Sequence, residues 1–187
     1  RGLFDQLEFR DVISWTALIG GYAQHGHDME SLNCLQRMQL ESLSPDSVTF
    51  SCVLKACGSL EKGQEIHAQI IESGLIEKTN TTGNALICMY FKVGSLSKAT
   101  ETLKNIAIQN VVSWNTLIYG CAEGGYGEEA LRCFKQMEQE GYFPNVVTLV
   151  SALKACSSIG AIHEGQKMHM EIEKVGLLDE SQDVGTT

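Results

Sequence analysis

Two stretches of this 187-residue chain, SWTALIGGYAQHG at 14–26 and SWNTLIYGCAEGG at 113–125, are close copies that differ at a polar position, Thr16 against Asn115. Threonine has one rotatable hydroxyl, whereas an asparagine amide offers both a donor and an acceptor, so the two can discriminate between ligands by hydrogen bonding. The neighbouring Trp15 is typical of a residue buried in the hydrophobic core. On a helix Thr16 lies about 100° further round the axis, which predicts that it faces a groove.

The cysteines and histidines form no catalytic or metal-binding pattern. Seven cysteines is an odd number and none stands in a CxxC pair, which indicates reduced thiols. Cys57 and Cys156 both end a KAC triplet, a pattern that favours small apolar residues packed between helices. His67, His163 and His169 lack the spacing of convergent ligands. We therefore predict no metal, no cofactor and no catalytic residue.

The composition is that of a folded protein with an acidic surface. Hydrophobic residues make up 43% and charged residues 20% of the chain, and no apolar run is long enough to predict a membrane-spanning helix. The 14 basic and 23 acidic residues give a net charge of −9. This charge opposes nonspecific binding to nucleic acid, because affinity for phosphates comes mainly from Lys and Arg. It leaves recognition of single-stranded bases open.

The chain is internally repetitive. Residues 11–57 align with residues 110–156 at 20 identical positions among 47, without a gap. NALICMY at 84–90 is a third variant of the same theme, and the related stretches SCVLKAC and SALKAC follow the two copies. The spacing indicates a unit of about 31 to 36 residues.

Each unit is predicted to form two helices. In the first, Trp15, Leu18, Ile19 and Tyr22 follow the spacing of one buried stripe, and Gly26 ends the helix. In the second, Asp28 is the expected cap, and the expected core residues are Leu32, Leu35 and Met38. The stretch Ser44-Pro45-Asp46 forms the closing turn.

A pair of short helices cannot bury its apolar stripe alone, so repeated pairs stack into a solenoid with a continuous core. No run alternates apolar and polar residues as a half-buried strand would. The sequence therefore predicts an all-α fold, an α-solenoid of helix-turn-helix repeats.

Two repeat families are candidates. The tetratricopeptide repeat opens with W-x2-L-G-x2-Y, which Trp15, Leu18 and Tyr22 meet, but Ile19 and Ile118 replace its glycine. That similarity is partial, and it leaves a peptide-binding scaffold as the alternative function.

The fuller resemblance is to plant pentatricopeptide repeat (PPR) proteins of the PLS class, which alternate classical, long and short repeats. VISWTALIGGYAQHG and VVSWNTLIYGCAEGGYGEEALRCFKQMEQEGYFPN resemble classical repeats. VTFSCVLKACGSLEKGQEIHAQIIESGL and VTLVSALKACSSIGAIHEGQKMHMEIEKVGL resemble long repeats, and NALICMYFKVGSL a short one. The resemblance implies a right-handed superhelix.

The resemblance also divides the chain into repeats. The classical repeats are 12–46 and 111–145, the long repeats are 47–79 and 146–181, and the short repeat is 80–110, with three residues missing from the first long repeat. Residues 1–11 resemble the end of a short repeat and residues 182–187 the start of another, so we expect a piece of a longer array.

In this family the fifth and the last residue of a repeat together determine which RNA base it binds, the fifth side chain meeting the Watson–Crick edge. The resulting pairs are Thr16 with Asp46, Asn84 with Asn110, and Asn115 with Asn145. Thr beside Asp resembles the guanine pair, and Asn beside Asn a pyrimidine pair, with cytosine ahead of uracil. Taken singly, such residues are more often solvated, or turn residues in the case of Asp46 and Asn145.

Further contacts are implied by position. The second residues Ile13, Val112 and Thr81 are placed to sandwich bases, Thr81 less well than the others. Lys55, Lys92 and Lys154 are placed to contact phosphates, although Glu123 stands in the second classical repeat at a place that is often basic. The fifth residues of the long repeats, Ser51 and Val150, resemble poor base contacts.

The resemblance implies a sequence-specific single-stranded RNA-binding module of a mitochondrion or chloroplast, acting in RNA processing or cytidine-to-uridine editing. Its transit peptide is expected outside this chain. The family's deaminase carries HxE followed by CxxC, which does not occur here, so we expect no enzyme activity. The long repeats are expected to bind organellar RNA editing accessory factors (MORF/RIP). An array cut at both ends exposes apolar faces, so we expect it to self-associate. We expect no membrane partner.

Overall fold

The computed structural model describes residues 4, 6 and 9–174, so the expected short repeat at 182–187 and the ends of the expected repeats 1–11 and 146–181 lie outside the described residues. The helices with defined bounds are α1 Val12–Gln24, α2 Asp28–Leu40, α3 Ser47–Lys55, α4 Leu60–Glu72, α5 Leu75–Lys78, α6 Asn80–Lys92, α7 Leu96–Asn105, α8 Val111–Glu123, α9 Gly127–Gln139, α10 Val146–Ile159 and α11 Ile162–Lys174. No described residue belongs to a strand. The predicted all-α fold is confirmed.

The chain forms two compact units, one ending at Ile108 and the other beginning at Gln109. In the first unit α1 packs on α2 and on α3, α3 packs on α6, and α6 packs on α7. The first helices of successive pairs are therefore neighbours. In the second unit α8 packs on α9 and α10, and α10 also contacts α9 and α11.

Only part of the predicted apolar stripe of α1 is buried in the core of the first unit. Trp15 and Ile19 are fully buried, whereas Leu18 and Tyr22 are half-buried. The Trp15 indole donates a hydrogen bond to Glu41 Oε2 (3.1 Å), so its polar atom is satisfied as its ring is removed from water. The predicted core residues Leu32, Leu35 and Met38 of α2 are buried.

The ends of α1 and α2 test the predicted start and stop signals. Gly26 directly follows the α1 C-cap with a φ of 74°, a left-handed conformation that glycine adopts without steric cost, so the predicted stop is confirmed. The predicted cap at Asp28 is wrong. His27 occupies the N-cap position, and Asp28 is the first residue of α2, where its negative charge favours the helix dipole.

All seven cysteines are free thiols. Cys57 and Cys156 are buried, as their KAC triplets predict, and burial raises the pKa of the Cys57 thiol to about 11. Cys57 is consequently protonated at neutral pH and serves as an apolar packing residue. In the described part of the chain no helix has the length and apolar character needed to cross a membrane.

Gly127 marks a close approach in the second unit. A Cβ atom built there would lie 2.5 Å from Ile159 Cγ2, 2.6 Å from Ser158 Oγ and 3.0 Å from the Ala155 carbonyl oxygen. The last of these is backbone, so the start of α9 and the end of α10 can pack this closely only because residue 127 lacks a side chain.

We expect Gly127→Ala to destabilise the protein by about 1–3 kcal/mol, the usual cost of inserting a methyl group into a packed contact. Gly21→Ala is the matched control, because a Cβ there meets nothing within 4 Å and alanine is the better helix former. Thermal unfolding followed by circular dichroism should place Gly127→Ala below the parent and Gly21→Ala at or above it. Equal midpoints for the two variants would contradict this account of the packing.

Candidate nucleic-acid interface

A polar residue caps the N-terminus of α1, α3, α8 and α10. In each case the cap's Oδ1 accepts a hydrogen bond from the backbone N–H three residues later: Asp11 from Ser14 (2.8 Å), Asp46 from Thr49 (2.8 Å), Asn110 from Ser113 (3.0 Å) and Asn145 from Thr148 (3.1 Å). This bond satisfies a donor that the helix itself leaves unpaired. Asp46 and Asn145, the last residues of the predicted classical repeats, are therefore helix caps.

Asp46 is connected to Thr16 by hydrogen bonds through Thr49. The Thr49 hydroxyl donates to Asp46 Oδ1 at 2.8 Å, and it lies 2.6 Å from the Thr16 hydroxyl on the preceding pair of helices. Thr16, Asp46 and Thr49 are hereafter the first junction cluster. Thr16 and Asp46, which the sequence predicts to act together, are thus joined through Thr49.

The equivalent residues of the second unit are joined more directly. The Asn115 side-chain nitrogen Nδ2 donates to Asn145 Oδ1 at 3.0 Å, and the Thr148 hydroxyl donates to Asn115 Oδ1. Asn115, Asn145 and Thr148 are hereafter the second junction cluster. Asn115 is only 7% exposed, whereas Thr16 is half-buried.

The third predicted pair has one member in each unit. Asn84 lies on α6 and is half-buried, and its Oδ1 is buried with no hydrogen-bond partner among the described residues. Asn110 caps α8 and also lies 3.2 Å from the Ser113 hydroxyl. Their action as a pair stays a prediction.

The residues predicted to sandwich bases are exposed. The side chains of Ile13 and Val112 are 77% and 59% exposed, and Thr81 is also exposed. Val48 and Val147 occupy the same place in the predicted long repeats, and both are more than half exposed although sequence reasoning did not single them out. Within each unit, the aliphatic side chains are therefore exposed at one fixed position of neighbouring helices, where flat rings can stack on them.

Two of the three predicted phosphate contacts already have protein partners. The Lys92 ammonium donates to the Lys55 carbonyl oxygen at 2.7 Å, at the end of α3. Lys154 forms an ion pair with Glu123, and the hydrogen bond from Lys154 lowers the pKa of that carboxyl. The charge of Lys154 is thereby partly neutralised, while the Lys55 side chain is exposed.

Sequence reasoning missed the hydroxyl residues that follow the helix starts, of which Thr49 and Thr148 join successive helix pairs. They stand three residues after the last residue of each predicted repeat: Ser14, Thr49, Thr82, Ser113 and Thr148. All but Ser14 are buried. The sequence does contain a signal for these residues. An Asp, Asn or Thr is followed three residues later by Ser or Thr five times, a spacing typical of mutual side-chain capping at a helix start.

Each unit, with helices packed in succession and a polar cluster where one pair meets the next, has the organisation of an α-helical repeat protein. A model of the PPR repeat family matches residues 10–59 and 109–158. The chain belongs to the pentatricopeptide repeat family.

Individual relatives agree with this assignment. A pentatricopeptide repeat-containing protein of Arabidopsis thaliana named as putative is 38% identical over 172 residues, covering 89% of this chain and 25% of its own length. Mitochondrial and chloroplastic relatives from the same plant are 37% identical over 166 residues and 36% identical over 177 residues, covering 87% and 93% of this chain and 22% and 28% of their own lengths. The chain thus spans about a quarter of the length of these relatives.

Solved structures show the same fold. The crystal structure of the pentatricopeptide repeat protein PPR10 from maize has a TM-score of 0.73 at 24% identity, over 94% of this chain and 26% of its own. PPR10 in complex with an 18-nucleotide psaJ RNA element has a TM-score of 0.74 at 24% identity, over 94% of this chain and 27% of its own. The similarity confirms the predicted α-solenoid fold.

Proposed function

We propose that the chain is a module that binds single-stranded RNA in a sequence-specific manner, one base to each classical or short repeat. The observation that carries the proposal is the pair of junction clusters, in which the fifth residue of a classical repeat is joined to its last residue by hydrogen bonds. Exposed Ile13 and Val112 precede these polar side chains by three residues, so stacking surfaces accompany the hydrogen-bonding groups. Family membership and the fold shared with RNA-bound PPR10 support it.

The proposed register, 5′ to 3′ along the chain, is guanine, any base, cytosine or uracil, cytosine or uracil, any base. We assign the guanine to Thr16 with Asp46 and one pyrimidine to Asn115 with Asn145. The other pyrimidine is assigned to Asn84 and Asn110 from their positions in the repeat sequence alone. The long repeats contribute no base preference. The Val150 side chain has no hydrogen-bonding group, and the Ser51 hydroxyl donates to the Ser47 carbonyl oxygen of its own helix (2.7 Å).

The biological setting is also a proposal. Relatives with organellar names support action on mitochondrial or chloroplast transcripts. We propose that this chain selects the site of processing or editing and does not catalyse the reaction. Accessory editing factors would bind the long repeats, where Val147 and Val150 are exposed on α10.

Selection from a random RNA pool tests the proposal. Thr16→Asn should change the preference at the guanine position to a pyrimidine and leave the other positions unchanged, because an amide replaces a hydroxyl at one contact. Thr116→Asn is the matched control, since the Thr116 hydroxyl bonds to the Val112 carbonyl of its own helix and takes no part in a junction cluster. A parent protein that selects no sequence, or that binds a peptide and no RNA, would refute the proposal.

Glu123→Gln should strengthen RNA binding, because it releases Lys154 to contact a phosphate. The gain should be up to about fivefold, given that an exposed ion pair is worth about 0–1 kcal/mol. The slope of log affinity against log salt should steepen by about 0.7 for the additional contact with single-stranded RNA.

Glu128→Gln changes the net charge equally, but Glu128 lies in the first turn of α9 and is not a member of that ion pair, so it serves as the control for Glu123→Gln. Titrations by fluorescence anisotropy at several salt concentrations measure both quantities. Equal effects of the two substitutions would show that only the net charge matters and that Lys154 makes no phosphate contact.

A further inference from the structure

We propose that Thr49 and Thr148 determine the direction of the hydrogen bonds that Thr16 and Asn115 offer to a base. The inference rests on the proposed function and deepens it, since it assigns specificity to residues of the following repeat. Thr49 and Thr148 are fully buried, so neither can contact RNA itself. They are positioning residues that act through the side chain they hold.

The first junction cluster has one hydrogen to share at Thr49. A carboxylate only accepts, so the Thr49 hydroxyl gives its single hydrogen to Asp46 Oδ1 at 2.8 Å. The contact of 2.6 Å between the Thr49 and Thr16 hydroxyls then requires Thr16 to be the donor. Because the hydrogen of Thr16 is committed to Thr49, the Thr16 oxygen offers only lone pairs to a ligand.

In the second junction cluster, the threonine donates to the fifth residue of the repeat instead of accepting from it. Thr148 accepts from the Asn145 backbone N–H at 3.0 Å. Its hydroxyl lies within hydrogen-bond distance of both Asn115 Oδ1 and Asn145 Oδ1 (3.0 Å), and its single hydrogen goes to the nearer atom, Asn115 Oδ1. Asn145 Oδ1 already accepts from Asn115 Nδ2 and from the Thr148 backbone N–H. These bonds fix the orientation of the Asn115 amide. One N–H and one lone pair of that amide remain, so Asn115 offers a donor and an acceptor together.

The two patterns suit different bases. The Watson–Crick edge of guanine presents two adjacent donors, the N1 imino and N2 amino groups, beside the O6 acceptor, and these donors match a Thr16 oxygen that can only accept. Adenine presents one donor, its N6 amino group, and has an acceptor at N1 where guanine has a donor. The edges of cytosine and uracil each present a donor beside an acceptor and match the amide of Asn115. A mismatched pair leaves a desolvated polar group without a partner, which is the main source of discrimination.

Removing the Thr49 hydroxyl should therefore release the hydrogen of Thr16. In Thr49→Val the bond from the backbone N–H of residue 49 to Asp46 remains, and the shape of the side chain is nearly unchanged. Only the longer bond of the cap, from the Asp46 N–H to the Thr49 hydroxyl (3.4 Å), is lost. Affinities are measured for the RNA selected by the parent protein and for the same RNA with adenine in place of the guanine. We expect the ratio of the two affinities to fall by about fivefold or more, since a hydrogen bond to a desolvated group is lost or gained.

Two further variants make the result specific. Thr49→Ser keeps the hydroxyl and should restore the guanine preference. Thr148→Val removes the equivalent hydroxyl from the second unit, so it should weaken discrimination only at the base bound by Asn115 and should leave the guanine position unchanged. Thermal unfolding of each variant by circular dichroism confirms that folded proteins are compared.

The outcomes separate this inference from the proposed function. A parent protein that prefers guanine together with a folded Thr49→Val variant that keeps the full preference would overturn the inference alone. A parent protein with no preference at any position would overturn the proposed function and the inference with it. If Thr49→Val does not fold, the decision passes to Thr148→Val and Thr148→Ser: equal discrimination by these two variants would overturn the inference.

Discussion

The start of each first helix imposes the constraint on which the remaining structure depends. A helix leaves its first backbone N–H groups unpaired, and at a repeat junction these groups must find partners within the protein. Asp46 and Asn145 meet that need by accepting from Thr49 and Thr148, three residues further along. The same two side chains are the ones proposed to assist base recognition, so one hydrogen-bonding requirement would serve both the fold and the proposed function.

This sharing explains why the two copies vary where they do. Trp15 and its counterpart Trp114 are both buried, and both are tryptophan because a densely packed core tolerates little change in side-chain volume. Thr16 and Asn115 differ, yet each is held by a threonine of the first helix of the following pair. The fixed threonine and the variable partner allow one backbone geometry to present different patterns of donors and acceptors.

The all-α repeat fold followed from the sequence because a stripe of apolar residues at helical spacing recurs, and the core residues Leu32, Leu35 and Met38 lie where it places them. The role of Asp28 did not follow, since N-cap and first helical residue differ by one position and only the backbone conformation separates them. The ion pair of Lys154 with Glu123 depends on how two helices pack, which periodicity does not specify. Thr49 and Thr148 recur three residues after a cap, a signal visible in the sequence, but they are neither the fifth nor the last residue of a repeat.

The crystal structure of this chain bound to the RNA that it selects is the most direct measurement of the central claim. The account predicts a guanine whose Watson–Crick edge donates to Thr16 Oγ1 at about 2.7–3.2 Å, with the Thr49 hydroxyl still between Thr16 and Asp46. A guanine bound elsewhere, or a Thr16 hydroxyl turned away from Thr49 in the complex, would contradict it.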